Sequence, residues 1–185
     1  MLDILNPEYR FSSLGKIRPE WLQRRGYRAL LVDVDNTFLP RNSCVVPANH
    51  LKWLSEMRCH EFLVALISNN GGKRIAQIRK QLEQEGLSVP VLTWAGKPLP
   101  RAFAGAIRLL DGSDAAAGVL TVGDQLFTDV LGAHLYDLPA AWVSPLSSGD
   151  FIGTKLVRIA EGWVAGYLRR AGVLPEEDAE SRDWI

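Results

Sequence analysis

Short apolar runs, each closed by polar or small residues, recur along the chain. Aliphatic and aromatic side chains dominate these runs and do not alternate cleanly with polar ones. Such a run is typical of a β-strand that is buried on both faces of a sheet. We therefore predict five strands, of which the third is the weakest: Tyr27–Val34, Glu61–Ile67, Ser88–Trp94, Gly118–Val122 and Leu138–Val143.

Stretches with apolar residues at helical spacing lie between these strands. They predict helices over Pro47–His60, Gly72–Gly86, Pro98–Leu110 and Gln125–Asp137. Because strand and helix alternate, the pattern predicts an α/β fold with a doubly wound, Rossmann-like, mainly parallel five-stranded sheet. Ligands of such sheets bind at the carboxyl ends of the strands, and functional side chains are expected there.

Two further helical segments flank the alternating region. Pro19–Arg25 has a proline at its start and a glycine after its end, as short helices often do. Asp150–Ala171 combines a stripe of apolar residues with nearby basic ones. This helix therefore either packs on the sheet, which is the preferred interpretation, or lies at a membrane interface. The segment Leu2–Leu14 leaves the same alternatives open.

Composition narrows the class of protein only slightly. The chain has 185 residues, with 21 basic and 21 acidic side chains. This balance gives no reason to expect a specific nucleic-acid partner. The sequence has no apolar run near the ~18 residues of a membrane-spanning helix, and its first residues do not resemble a secretory signal. We therefore expect a cytoplasmic protein, with peripheral membrane association left open and with Cys44 and Cys59 as reduced thiols.

Candidate chemistry begins at the end of the first predicted strand. Asp33 and Asp35 are two residues apart, so alternation along a strand points both side chains the same way. Two crowded carboxylates repel each other unless a cation lies between them, and oxygen ligands suit Mg²⁺. The alternative is a turn in which Asp and Asn are simply favoured.

Polar residues follow the next strands as well. Ser68 and Asn69 precede a helix, where they either cap its N-terminus or hold a phosphate. Lys97 lies in a loop before a helix, and its alternative is a solvated surface charge. Asp124 and Asp129 follow the fourth long strand. The ordering of acid pair, Ser, Lys and acid pair at successive strand ends is what makes chance agreement improbable.

In this order the motifs DVDNT, SNN, KP and GDQLFTD resemble motifs one to four of the haloacid dehalogenase (HAD) superfamily of aspartate-nucleophile phosphatases. The resemblance spans Tyr27 to Ser144. Within the superfamily, the phrases DVDNT, ISNN and GDQLFTDVLGA are most similar to subfamily IIIA, the phosphatidylglycerophosphate phosphatase-like group of YqeG-type proteins. One small departure is Gly96, where related sequences often carry a side chain.

The resemblance implies a role for each candidate residue. Asp33 would be the nucleophile and Asp35 the general acid and base. Ser68 and Asn69 would bind the transferring phosphoryl group. Lys97 would neutralise charge on both the nucleophile and the phosphate.

It also implies a cofactor, Mg²⁺. Asp33, Asp124 and the backbone carbonyl of Asp35 would ligate the ion, while Thr37 and Asp129 would support that shell. The reaction would be phosphomonoester hydrolysis through an aspartyl-phosphate intermediate.

We expect three parts in the chain: an N-terminal helical lead-in (1–26), a HAD-like phosphatase domain (27–172) and a tail (173–185) that its acidic composition predicts to be flexible. The intervals between the motifs hold no room for a cap domain, so the site is expected to be open. An open site favours a bulky phosphorylated substrate, with phosphatidylglycerophosphate as the first choice. A nucleotide, a nucleic acid end and a sugar phosphate are the alternatives.

Two classes of protein without phosphatase activity compete with this interpretation. A phosphoryl-accepting receiver domain also uses clustered acids, but it places the phosphorylated Asp after its third strand, and here that strand ends TWAGKP. A non-catalytic HAD-like scaffold is the other alternative, although all the expected chemical groups are present.

Overall fold

The structure, a computed structural model, describes residues 3–111, 116–147 and 152–178. Within them six strands form one sheet in the order β1-β6-β5-β2-β3-β4, and every pairing is parallel. The strands are β1 Tyr9–Phe11, β2 Ala29–Asp33, β3 Leu63–Ile67, β4 Val91–Leu92, β5 Val119–Gly123 and β6 Ala140–Val143. The α/β class and the parallel sheet predicted from the sequence are confirmed.

The sheet has six strands and not five, because β1 joins it from within the segment expected to be a helical lead-in. β1 spans three residues and pairs only with β6, at the edge of the sheet. A strand this short gives no recognisable apolar run. Its position depends on pairing with a strand more than 120 residues further along, Tyr9 lying opposite Ala141.

Six α-helices accompany the strands: α1 Pro19–Arg24, α2 Ala48–Cys59, α3 Lys73–Gln84, α4 Pro100–Asp111, α5 Leu131–His134 and α6 Ile152–Arg170. Short 3-10 turns lie at Asp3–Leu5 and Leu14–Lys16. Two predicted helices differ from the observed ones. α4 begins at Pro100, after a cis Lys97–Pro98 bond. The predicted helix Gln125–Asp137 is divided into a π-helical turn, Leu126–Val130, followed by α5.

Helices cover both faces of the sheet, as a doubly wound fold requires. Alternate residues of β2 point to opposite faces. Leu30 and Val32 pack with apolar side chains of α1, α2 and α3, whereas Leu31 packs with those of α4, α5 and α6. Burial on both faces explains why the strands carry uninterrupted apolar runs.

Helix α6 contacts the domain through a face that the sequence pattern did not indicate. Ala165 and Leu168 are buried, together with Glu161. Part of the expected apolar stripe, Ile159 and Trp163, is exposed instead. None of the described helices has the length and apolar content needed to cross a lipid bilayer.

The chain segments around the carboxyl edge are short. Between β2 and β3 lie one loop and α2, and between β3 and Lys97 lie α3 and β4. All of these residues are described, and none forms a cap over the sheet. The carboxyl edge is therefore open, as expected.

Candidate active site

The sheet order brings the predicted site residues together. β2 lies between β5 and β3. The chain adds β3 and β4 on one side of β2 and later adds β5 and β6 on the other side. Such a reversal of strand order creates a crevice at the carboxyl edge. Asp33 ends β2, Ser68 follows β3 and Asp124 follows β5. All three side chains are buried, as is that of Lys97.

Lys97 connects two of the buried carboxylates. Its Nζ atom lies 2.5 Å from Oδ1 of Asp33 and 2.6 Å from Oδ1 of Asp129. A buried ammonium needs such partners, because an unpaired charge in the interior is costly. Burial disfavours the charged lysine, but Asp129 and Asp33 outweigh that effect and raise its pKa. Lys97 is therefore a fixed cation of the site.

Asp33, Asp124 and Asp129 form a cluster in which one oxygen of each lies within 4.8 Å of the others. With all three carboxylates ionised, the cluster and the ammonium of Lys97 together have two excess negative charges. The Oδ2 atom of Asp33 is buried and has no hydrogen-bond partner in the described part of the chain. An unpaired buried oxygen in a cluster of excess negative charge fits a dication with oxygen ligands, such as Mg²⁺.

The pKa of Asp33 supports this fit. Burial raises the pKa well above the usual range of an aspartate, and the charges of Asp129 and Asp124 raise it further against the effect of Lys97. A dication beside the cluster would lower it again, because a nearby opposite charge favours the carboxylate. The ionised form is the one that can act as a nucleophile.

The Asp35 side chain is held by different partners. Arg74 Nη1 lies 2.8 Å from Oδ1, Asn70 Nδ2 donates to Oδ2 at 2.9 Å, and Ser68 Oγ lies 3.4 Å from Oδ2. These bonds fix the orientation of a second carboxylate beside that of Asp33. A metal contact of Asp35 through its backbone carbonyl stays a prediction.

Two of the remaining predicted residues support their neighbours. Thr37 Oγ1 donates to Oδ1 of Asp124 at 3.4 Å. The side-chain amide of Asn69 forms two hydrogen bonds with the backbone of Lys97. Its Oδ1 accepts from the Lys97 amide at 2.7 Å, and its Nδ2 donates to the Lys97 carbonyl at 3.0 Å. In this structure Asn69 therefore holds the loop that presents Lys97, and a phosphate contact of its side chain stays a prediction.

The π-helical turn positions Asp129. The amides of Asp129 and Val130 both donate to the carbonyl of Gln125, and the Gln125 amide donates to Oδ2 of Asp129 at 3.1 Å. Gly123 permits the close approach, since a Cβ there would lie 2.3 Å from Asp129. The glycine of the GD pair is therefore required by packing.

Sequence reasoning missed two residues of this site. They are Asn70, which follows the predicted pair Ser68 and Asn69, and Arg74. Arg74 lies in the first turn of α3, where a basic residue has no helix-dipole reason to be. That position next to SNN is a weak signal, and only the contact with Asp35 identifies it.

The comparisons with known proteins agree with the fold. The probable phosphatase YqeG of Bacillus subtilis (strain 168) is 30% identical over 172 residues, covering 93% of this chain and 96% of that protein. An uncharacterised protein from Listeria monocytogenes serotype 4b has a similar structure, with a TM-score of 0.50, 16% identity and coverage of 66% and 84% of the two chains. A second crystal structure aligns with a TM-score of 0.56 at 13% identity, over 80% of this chain and 85% of the other.

The fold and the relative of 30% identity define a phosphatase of the HAD type, whose substrate is a phosphorylated compound. The family described as mitochondrial PGP phosphatase has a sequence model that matches residues 3–145. The chain belongs to this family.

Proposed function

We propose that the protein is a Mg²⁺-dependent phosphomonoester hydrolase that forms an aspartyl-phosphate on Asp33, with phosphatidylglycerophosphate as its substrate. One observation carries the proposal. The Oδ2 atom of Asp33 is buried and unpaired among the described residues, while Oδ1 is held by Lys97. One oxygen of the nucleophile is therefore oriented and the other remains available.

In the first step an Asp33 oxygen attacks phosphorus, and the bond from phosphorus to the leaving oxygen breaks. Asp35, which enters this step in its protonated form, supplies a proton to that oxygen and is left as the carboxylate. Lys97 and Ser68 face the charge that develops on the phosphoryl oxygens, where fixed donors in a water-poor site stabilise a transition state most effectively.

In the second step water attacks the phosphorus of the aspartyl-phosphate. Asp35 takes a proton from that water, and the Asp33 carboxylate is released together with inorganic phosphate. Asp33, Asp124 and the Asp35 carbonyl would hold Mg²⁺, with Asp129 and Thr37 in support. When bound, the ion neutralises charge on the transferring phosphoryl group.

The choice of substrate rests on the family and on the open edge. The PGP phosphatase model matches most of the chain, and no cap covers the carboxyl edge within residues 36–111. A lipid headgroup that remains in a bilayer needs such an open site. A nucleotide, nucleic acid end or sugar phosphate has no comparable observation in its favour.

The first experiment measures hydrolysis of p-nitrophenyl phosphate and of phosphatidylglycerophosphate in mixed micelles, with and without Mg²⁺. Asp33→Asn should lose activity on both substrates by about 10³-fold or more, because the nucleophile is lost. Asp137→Asn, an exposed aspartate with φ 55°, is the matched control and should retain activity.

Covalent chemistry is tested separately by acid quenching with a substrate labelled in its phosphate. Label should remain on the wild-type protein and be absent from Asp33→Asn. Turnover that persists after removal of Mg²⁺ with a chelator, or labelling of Asp33→Asn, would contradict the mechanism. Faster hydrolysis of nucleotides or sugar phosphates than of the lipid would reject phosphatidylglycerophosphate as the substrate in favour of that compound.

A further inference from the structure

Three segments follow β2, β3 and β4 and border the open edge on the side of these strands: residues 38–46, residues 69–74 with the start of α3, and residues 93–101 with the start of α4. We refer to them as the site rim. They are bonded to one another, since Arg74 Nε donates to the Ser43 carbonyl at 2.8 Å and the Trp94 amide donates to the Asn70 carbonyl at 3.2 Å. Trp94 also lies against Gly71, where a Cβ would be 2.4 Å from the indole nitrogen. The rim is therefore one continuous surface.

The charge of the rim departs from that of the chain. Its three segments, all within the described residues, contain no acidic side chain. They contain five basic side chains: Arg41, Lys73, Arg74, Lys97 and Arg101. The whole chain, in contrast, has equal numbers of basic and acidic residues. Arg74 and Lys97 bind carboxylates of the site, whereas Lys73 and Arg101 are exposed. The outer rim is thus suited to an anionic partner.

The rim also exposes large apolar side chains. Val45 is 66% exposed, Trp94 71% and Leu99 47%. Basic residues alone would be sufficient to attract a small phosphate compound, so that role does not explain the exposed apolar side chains. Exposed aliphatic side chains and a tryptophan between basic residues are typical of surfaces that enter the headgroup region of a membrane.

We propose that the site rim docks on an anionic lipid surface, so that a headgroup phosphate reaches Asp33 while the lipid stays in the bilayer. This inference rests on the proposed function for its lipid substrate. A second copy of the chain fits the rim poorly, because two basic rims repel each other. A neutral membrane would offer no net negative charge to the exposed Lys73 and Arg101.

The test is sedimentation with vesicles of phosphatidylcholine alone or mixed with phosphatidylglycerol, without substrate. The wild type should bind the anionic vesicles, and binding should weaken as salt is added. Trp94→Ala should weaken binding about tenfold, as expected for loss of an interfacial tryptophan.

The fold supplies a matched control for Trp94. Trp163 on α6 is 77% exposed but lies outside the rim, and Trp163→Ala should leave vesicle binding unchanged. Among the basic residues, Lys73→Gln and Arg101→Gln should each weaken binding about fivefold. Arg170→Gln at the end of α6 should not.

Hydrolysis of p-nitrophenyl phosphate should stay within about twofold of wild type in all five variants, because none of these residues belongs to the catalytic cluster. Loss of vesicle binding in Trp163→Ala but not in Trp94→Ala would reject the rim as the docking surface and would assign vesicle binding to α6. Equal binding to both kinds of vesicle, or none, would also overturn it.

The two proposals fail in different ways. Rim-dependent vesicle binding without hydrolysis of phosphatidylglycerophosphate would reject the substrate and retain the docking surface. Hydrolysis of the micellar lipid together with vesicle binding unaffected by Trp94→Ala would retain the substrate and reject the surface.

Discussion

At the scale of single residues, the two carboxylates of the DVD motif have different partners. Asp33 forms an ion pair with Lys97 and lies in the acidic cluster. Asp35 is bound by Arg74, Asn70 and Ser68. One carboxylate is therefore placed beside a fixed cation and a metal-type cluster, and the other beside a guanidinium and an amide. The two carboxylates, for which the separate roles of nucleophile and general acid are proposed, therefore differ in their surroundings.

Arg74 is expected to be a positioning residue that acts through Asp35. Arg74→Gln should lower kcat/KM for an alkyl phosphate roughly ten- to hundredfold, a part of the ∼10²–10⁴-fold effect of a positioned general acid. The loss should be smaller with p-nitrophenyl phosphate, whose leaving group needs little help from a proton. Steady-state kinetics with both substrates checks this difference.

Arg79→Gln is the control on the same helix, since Arg79 donates to the Val91 carbonyl at 2.7 Å and not to a site carboxylate. Arg74→Lys should recover part of the activity, because it keeps the charge but not the planar fork. Equal losses on both substrates would show that Arg74 acts on phosphate binding or on folding and not through Asp35.

At the scale of the elements, the end of β5 and the π-helical turn must fit closely. The Asp129 side chain occupies the space over Gly123 that a Cβ would need, and its oxygens reach both Lys97 and the Gln125 amide. The turn therefore depends on a glycine in an otherwise ordinary strand. This explains the glycine in GDQLFTD by packing alone.

Gly123→Ala should displace Asp129 and lower kcat about hundredfold, since small errors in placing catalytic groups are costly. It should also reduce the free energy of unfolding by about 1–3 kcal/mol, as overpacking does. Enzyme assays and urea unfolding measure the two effects.

Gly162→Ala in α6 provides the opposite case. Nothing lies within 4 Å of a Cβ at Gly162, so alanine should stabilise the helix by about 0.5–1 kcal/mol and leave activity unchanged. Wild-type activity in Gly123→Ala would contradict the packing explanation.

At the scale of the whole molecule, both ends of the described chain contact the core. Val173 and Asp178 belong to the predicted flexible tail, yet the Val173 carbonyl accepts a bond from Asn6 and Asp178 accepts one from Trp21 at 2.7 Å. Residues 173–178 of the tail are therefore bound to the N-terminal segment and to α1. Residues 179–185 lie outside the described residues. The domain boundaries themselves stay a prediction.

A charged pair joins the N-terminal segment to α5. His134 Nε2 lies 3.1 Å from Oε2 of Glu8, and its Nδ1 lies 2.6 Å from the Ile4 carbonyl. The hydrogen bond with Glu8 raises the pKa of His134 against partial burial. Burial opposes ionisation of Glu8, but the bonds from His134 and the Ala140 amide outweigh it and lower the pKa of Glu8.

The sign of the pH dependence follows from these shifts. The contribution of His134 is complete below its ordinary pKa of 6.5 and is lost as pH rises through its raised value. The contribution of Glu8 is complete above 4.5 and is lost as pH falls through its lowered value. The pair therefore stabilises the fold most between these two ordinary values.

His134→Ala should cost about 0.5–1 kcal/mol more stability at about pH 5.5 than at about pH 8.5, a range that allows for the exposure of Glu8. Urea unfolding at both pH values measures the difference. His60→Ala, at an exposed and longer contact with Glu20 of 3.9 Å, should show no such difference. A larger loss for His134→Ala at the alkaline pH would contradict the assignment.

The sequence alone was sufficient to predict the α/β class, five of the six strands and the positions of the carboxylates at the strand ends. It could do so because burial on both faces and helical spacing are local patterns, and because a parallel sheet brings the carboxyl ends of its strands to one edge.

Three features became known only from the three-dimensional structure: the place of β1, the inward face of α6 and the binding of Asp35 by Arg74. Each depends on contacts between residues far apart in the chain. β1 is too short to be recognised without its partner β6. The face of α6 is selected by its contact with the π-helical turn, where Glu161 accepts the Phe127 amide at 3.1 Å. Periodicity in a single segment contains no information about such neighbours.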